Sequence, residues 1–90
     1  MELDNKRIGE RLRELRTDHG FKQKEVAEYL GLSQSLYSMI EHGKRRLKWL
    51  SLVEKLALLY NCDEDYILCL HDEYNIYGSI AYQLYIKNKE

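Results

Sequence analysis

QKEVAEYLGLSQSLYSMIEHGKR, residues 23–45, is the stretch on which the fold turns. It holds two short runs of helical periodicity separated by Gly31, Leu32 and Ser33. In the first, residues 23–30, Val26, Ala27 and Leu30 share one face; in the second, residues 34–42, Tyr37 and Ile40 do. Two helices crossing steeply on so short a turn need a small residue where their backbones approach, and a glycine free to turn left-handed. Ala27 and Gly31 stand at those places. Ser33 is placed to cap the second helix by accepting a bond from its first backbone N–H groups. Val26, Leu30, Leu32, Tyr37 and Ile40 form the expected buried set.

Working outward, Gly43 closes the second run, and Gly20 closes an earlier stretch of helical spacing. Ile8, Leu12 and Leu15 predict a first helix that starts at Asp4 or Asn5 and runs to about residue 19. A fourth helix is expected over residues 50–60, with Leu52, Val53, Leu56, Ala57 and Leu59 making it the centre of the core; a capping box of Ser51 and Glu54 would start it late. Asp63 caps a fifth, whose first turn carries Glu64 and Asp65 and whose buried side is Tyr66, Ile67 and Leu70. The expectation is therefore an all-α domain of five helices over residues 1–71, with a C-terminal extension over 72–90. In that extension Ile76, Ile80 and Leu84 are spaced as on a helix, whereas Ile80, Tyr82, Leu84 and Ile86 alternate as in a strand, so it reads as a helix or a strand.

Composition bounds what such a domain does. Ninety residues suit one small domain whose thin core makes dimerisation expected. With 44% apolar and 32% charged residues the chain is neither a disordered tail nor a membrane span, and no apolar run approaches the ~20 residues that crossing a bilayer requires. Met1, Glu2, Leu3 and Asp4 begin no signal peptide, and Cys62 and Cys69 are too few to staple a secreted mini-domain; a cytoplasmic location is expected. The net charge of −1 hides an asymmetry: residues 1–49 carry +3 and residues 50–90 carry −4. A basic half followed by an acidic half suggests that one face meets an anionic partner.

The stretches IGERLRELR, QKEVAEYLGLSQSLYSMIEHGKR and KLALLYNCDEDYIL together resemble the Cro and phage-repressor (Xre-like) family of helix-turn-helix DNA-binding domains. The resemblance covers about two-thirds of the chain, from Ile8 to about Leu70. It implies a lambda-repressor-like fold that places the helix at 34–42 in the major groove of double-stranded DNA. Gln34, Ser35, Ser38 and Met39 would read base edges: the glutamine amide suits adenine, the hydroxyls suit several bases, and the thioether touches a thymine methyl. Gln23, Ser33, Lys44, Arg45 and Arg46 would meet phosphates, which fixes position and salt dependence without carrying sequence information. Arg16 and Glu41 match a structural ion pair between the first and third helices. Three departures from the family pattern stand out: Lys22 replaces a capping Thr or Ser, Tyr37 replaces a branched aliphatic and so brings a hydroxyl that needs a partner or solvent, and the loop over 43–49 lacks the common proline.

The implied function is a transcription regulator, a repressor binding a palindromic operator as a homodimer. Other classes fare worse. The chain has no Gly-rich phosphate loop and no nucleophile motif, so no enzyme is expected. His19, His42, His71, Cys62 and Cys69 lack the paired spacing of a zinc site, and neither a metal nor another cofactor is expected. The alternative is an antitoxin-type module that covers a toxin or other protein partner with its acidic, tyrosine-rich C-terminal half. Tyr74, Tyr77, Ile80 and Leu84 are the interface candidates on either reading.

Overall fold

Among the described residues, three of five helices start on a side-chain acceptor that the sequence supplies. In the computed structural model, which describes residues 3–47 and 49–70, all regular structure is helical: α1 spans Asn5–Asp18, α2 Gln23–Leu30, α3 Gln34–Glu41, α4 Leu50–Tyr60 and α5 Glu64–Ile67. The segment 72–90, with Tyr74, Tyr77, Ile80 and Leu84, lies outside the described residues.

Asp4 Oδ1 accepts from the N–H groups of Lys6 and Arg7 at 3.1 and 3.2 Å, Ser33 Oγ from Leu36 at 3.1 Å, and Asp63 Oδ1 from Tyr66 at 2.6 Å. Each satisfies donors that a helix start otherwise leaves open. Lys22 has no acceptor to offer α2; only the reverse bond forms, with Glu25 Oε1 accepting from Lys22 N at 2.8 Å. The box expected from Ser51 and Glu54 is not made. Trp49 is the extended residue ahead of α4, without a side-chain cap, and Ser51 is already helical, which rules it out as a cap. Gly31 closes α2 at φ 75°, and the left-handed Asn61 at φ 53° closes α4.

The core is built from one stripe of each helix. Ile8, Leu12 and Leu15 of α1 meet Val26 and Leu30 of α2, Tyr37 and Ile40 of α3, and Leu52, Val53, Leu56 and Tyr60 of α4; Leu47, Cys62, Tyr66 and Ile67 complete it. Full burial of one such leucine stabilises by about 1.5–3 kcal/mol. α3 packs on α1 and α2, while α4 packs on α2 and α5, and α5 returns to α1. Arg11 ties this last contact: its Nη1 donates to the Tyr66 carbonyl at 2.8 Å and its guanidinium lies 4.0 Å from the Tyr66 ring centre.

One expected core position is corrected, and Tyr37, buried as expected, leaves its hydroxyl without the expected partner or solvent. Leu70 is 41% exposed, because α5 ends at Ile67 and the left-handed Cys69, at φ 61°, turns the chain out of helical phase before Leu70. The Tyr37 hydroxyl reaches neither solvent nor a partner at hydrogen-bonding geometry; it is sealed in beside the Glu41 carboxylate, and burial pushes its ionisation far above the ordinary phenol range. α4 also leaves two leucines outside the core, Leu50 62% and Leu58 76% exposed, with Ser51, Glu54 and Lys55 exposed beside them.

Candidate nucleic-acid interface

The inward face of α3 is set by Tyr37, Ile40 and Glu41, all buried. Helical geometry then turns positions 34, 35, 38 and 39 outward together. Gln34, Ser35 and Met39 are exposed and Ser38 half-buried. With Gln23 from the start of α2 these four line one open groove of about 460 Å³. An amide, two hydroxyls and a thioether so arranged offer paired donors and acceptors and one apolar contact, which is the chemistry that distinguishes base edges in a major groove.

Beside this groove lies a smaller hollow of about 180 Å³, lined by Arg13, Arg16, Gln23, Glu41 and His42. Arg16 Nε donates to Glu41 Oε2 at 2.6 Å and Arg16 Nη2 to Glu41 Oε1 at 3.1 Å, while Arg16 Nη1 donates to the Phe21 carbonyl at 3.0 Å. Gln23 Nε2 adds a third bond to Glu41, at 3.1 Å from Oε1. Burial alone would raise the Glu41 carboxyl, but the Arg16 bonds, the neighbouring Tyr37 hydroxyl and the Gln23 bond hold it below the usual carboxylate range. Its bond to Glu41 correspondingly raises Arg16, so both partners stay charged. His42 Nδ1 donates to the Ser38 carbonyl at 2.7 Å, which ties the end of α3 to one of its outward residues.

Ser33, Lys44, Arg45 and Arg46 are all exposed. The Ser33 hydroxyl already accepts the cap bond of α3. Gly43, left-handed at φ 74°, folds the chain back so that the N–H groups of Lys44 and Arg45 donate to the Met39 carbonyl at 2.9 and 3.3 Å. The basic run therefore leaves α3 directly beside its last outward residue. Lys48 lies outside the described residues. Among those described, no cluster of His, Cys, Asp or Glu could hold a metal ion, and no helix is long and apolar enough to cross a membrane.

Sequence reasoning missed Gly9. A Cβ there would lie 2.7 Å from the Ile40 carbonyl oxygen and from the Glu41 carbonyl carbon, and closer still to the Glu41 oxygen, so only glycine lets α1 approach the end of α3. A glycine inside an otherwise helical run was the available signal. The contacts of Arg11 and the bond from Gln23 to Glu41 were also missed; spacing along one helix says nothing about a partner on another.

Among the described residues, five helices around one core, with a polar outward face on α3 and a basic run at its end, define an Xre-like helix-turn-helix DNA-binding domain. A family model for the helix-turn-helix domain matches residues 9–73, and the chain belongs to that family. It is 36% identical over 61 residues to the ImmF control region 10 kDa protein of Bacillus phage phi105, an alignment covering 68% of this chain and 67% of that protein. Among solved structures it is similar to the restriction-modification controller protein C.AhdI from Aeromonas hydrophila, at 34% identity and a TM-score of 0.63, covering 71% of this chain and 96% of that one. The clp gene regulator ClgR from C. glutamicum shares the fold at 24% identity and a TM-score of 0.63, covering 76% and 87% of the respective chains. Membership places the protein among DNA-binding transcription regulators rather than enzymes.

Proposed function

We propose that the protein is a transcriptional repressor that binds a palindromic operator as a homodimer, with α3 in the major groove of each half-site. One observation carries this reading: Gln34, Ser35, Ser38 and Met39 share the outward face of α3 beside an exposed basic run. Gln34, at the helix start, pairs bidentately with a base; Ser35 and Ser38 supply adaptable hydrogen bonds, and Met39 meets a thymine methyl. Gln23, Ser33, Lys44, Arg45 and Arg46 hold phosphates on either side. Similarity to a phage control-region protein and to a restriction-modification controller protein supports a role in regulating transcription.

A single domain with one eight-residue reading helix reads few base pairs, so two copies on half-sites about one helical turn apart give useful affinity. Leu50 and Leu58, exposed on α4, are candidate contacts for the second copy, and Tyr74, Tyr77, Ile80 and Leu84 of the extension are further candidates. The toxin-binding alternative, which rested on the acidic, tyrosine-rich C-terminal half, gains no support from these relatives. Selection of bound duplexes from random DNA, paired with sedimentation of the free protein, tests the proposal. A palindromic consensus and a dimer are expected; no enriched sequence would overturn base reading, and a single half-site bound by a monomer would overturn the dimer.

A further inference from the structure

The carboxylate of Glu41 does more than neutralise Arg16. Its side chain is almost sealed from solvent, 1% exposed against 13% for Arg16, and it accepts three bonds, two from the guanidinium and one from Gln23 Nε2. An amide nitrogen carries two hydrogens and a carboxylate has none to give, so this third bond fixes which end of the Gln23 amide turns inward and leaves one N–H over for a ligand. Gln23 is at the same time part of the wall of the groove formed with Gln34, Ser35, Ser38 and Met39.

A free glutamine samples many rotamers, and ordering it on binding weakens affinity; here the folded protein has already ordered it. A buried ion pair adds little net stability over an apolar pair of the same shape. An apolar residue at 41, however, could not hold the amide, and without Arg16 the acceptor could not stay charged in the interior. The ion pair thus has a consequence at the surface that packing alone would not require.

We propose that Glu41 is a positioning residue for DNA binding, acting through Gln23 to pre-order an amide N–H at the edge of the reading groove. The inference rests on the DNA-binding reading above, in which Gln23 meets a phosphate. It is tested by a double-mutant cycle on the full chain: Gln23→Met, Glu41→Met and the double variant, titrated against the enriched duplex at a temperature where circular dichroism shows each fully folded. Glu41→Met, which leaves no acceptor for the amide, lowers affinity about three- to tenfold when residue 23 is glutamine and leaves it unchanged when residue 23 is methionine. The salt slope stays constant, since an amide releases no counterion.

Equal losses in both backgrounds would mean that Glu41 acts on the fold alone, and a gain in affinity that its charge only repels phosphate; either result overturns the proposal. Should Glu41→Met fail to fold, the native protein gives a second readout: the Gln23 side-chain NH2 shows an NMR order parameter close to that of the backbone, and a freely mobile amide would count against the proposal. If neither Gln23→Met nor Lys44→Ala weakens binding, the DNA-binding reading fails; if Gln23→Met weakens it and Glu41→Met does not, only the positioning role does.

Discussion

Replacing Gly9 by alanine sets two effects of opposite sign against each other. In an exposed helix interior the change stabilises by about 1 kcal/mol, because alanine has the higher helix propensity. Gly9 is buried where α1 meets the end of α3, and the new Cβ would lie 2.7 Å from the Ile40 carbonyl oxygen and from the Glu41 carbonyl carbon. A carbon and an oxygen settle at about 3.3 Å or more. The Glu41 carbonyl oxygen lies closer still, so the two helices must part by roughly 1 Å, and backbone atoms cannot rotate out of the way. Overpacking costs about 1–3 kcal/mol, here toward the upper end because the obstacle is main chain. The net expectation is a loss of about 1–2 kcal/mol, which lowers Tm by roughly 5–15 °C in a domain of this size. Thermal unfolding followed by circular dichroism, with urea titration as a second measure, reads this directly. A Tm at or above that of the native protein would refute the close approach of α1 and α3.

Lys44→Ala should weaken binding to every duplex alike and reduce the slope of log affinity against log salt by about 1, measured by anisotropy titration across salt concentrations. Glu41 is held below the ordinary carboxylate range, so its contribution to stability is full above about pH 4.3, the unfolded value, and is lost as pH falls through the lower folded value. Urea midpoints should accordingly drop below about pH 4, and drop less in Glu41→Gln. Burial pushes the Cys62 thiol up to about 12, so an alkylating reagent at pH 8 should modify Cys69 first and reach Cys62 only on unfolding, as peptide mass mapping would show. Leu58→Glu, on an exposed position of α4, should leave helicity and Tm nearly unchanged while shifting sedimentation toward monomer.

Local signals were legible wherever one stretch of chain decides its own conformation. Gly31 at the turn, Ser33 and Asp63 as caps, and the stripes of α2 and α3 are all read from neighbours within four residues, and the starts of α3 and α5 and the end of α2 follow from them. Failures came where a near neighbour overrode the pattern or where another element decides. Ser51 and Glu54 have the spacing of a capping box, yet the entry into α4 is set from Trp49, earlier in the chain. Leu70 keeps helical phase in the sequence, but the left-handed Cys69 breaks that phase in space. At the candidate interface the outward set on α3 could be counted off a wheel. The bond from Gln23 to Glu41 could not, since it joins residues 18 apart and depends on how α2 meets the end of α3.

The central claim is that α3 reads bases, and Gln34→Ala tests it most directly. Its affinity is measured against the duplex enriched from random DNA and, in the same buffer, against random duplex. The variant should lose about 1–3 kcal/mol on the enriched duplex, with relaxed discrimination at one base position, and bind random DNA as the native protein does. An equal loss on both would contradict base reading by Gln34 and leave α3 with only a backbone-contacting role.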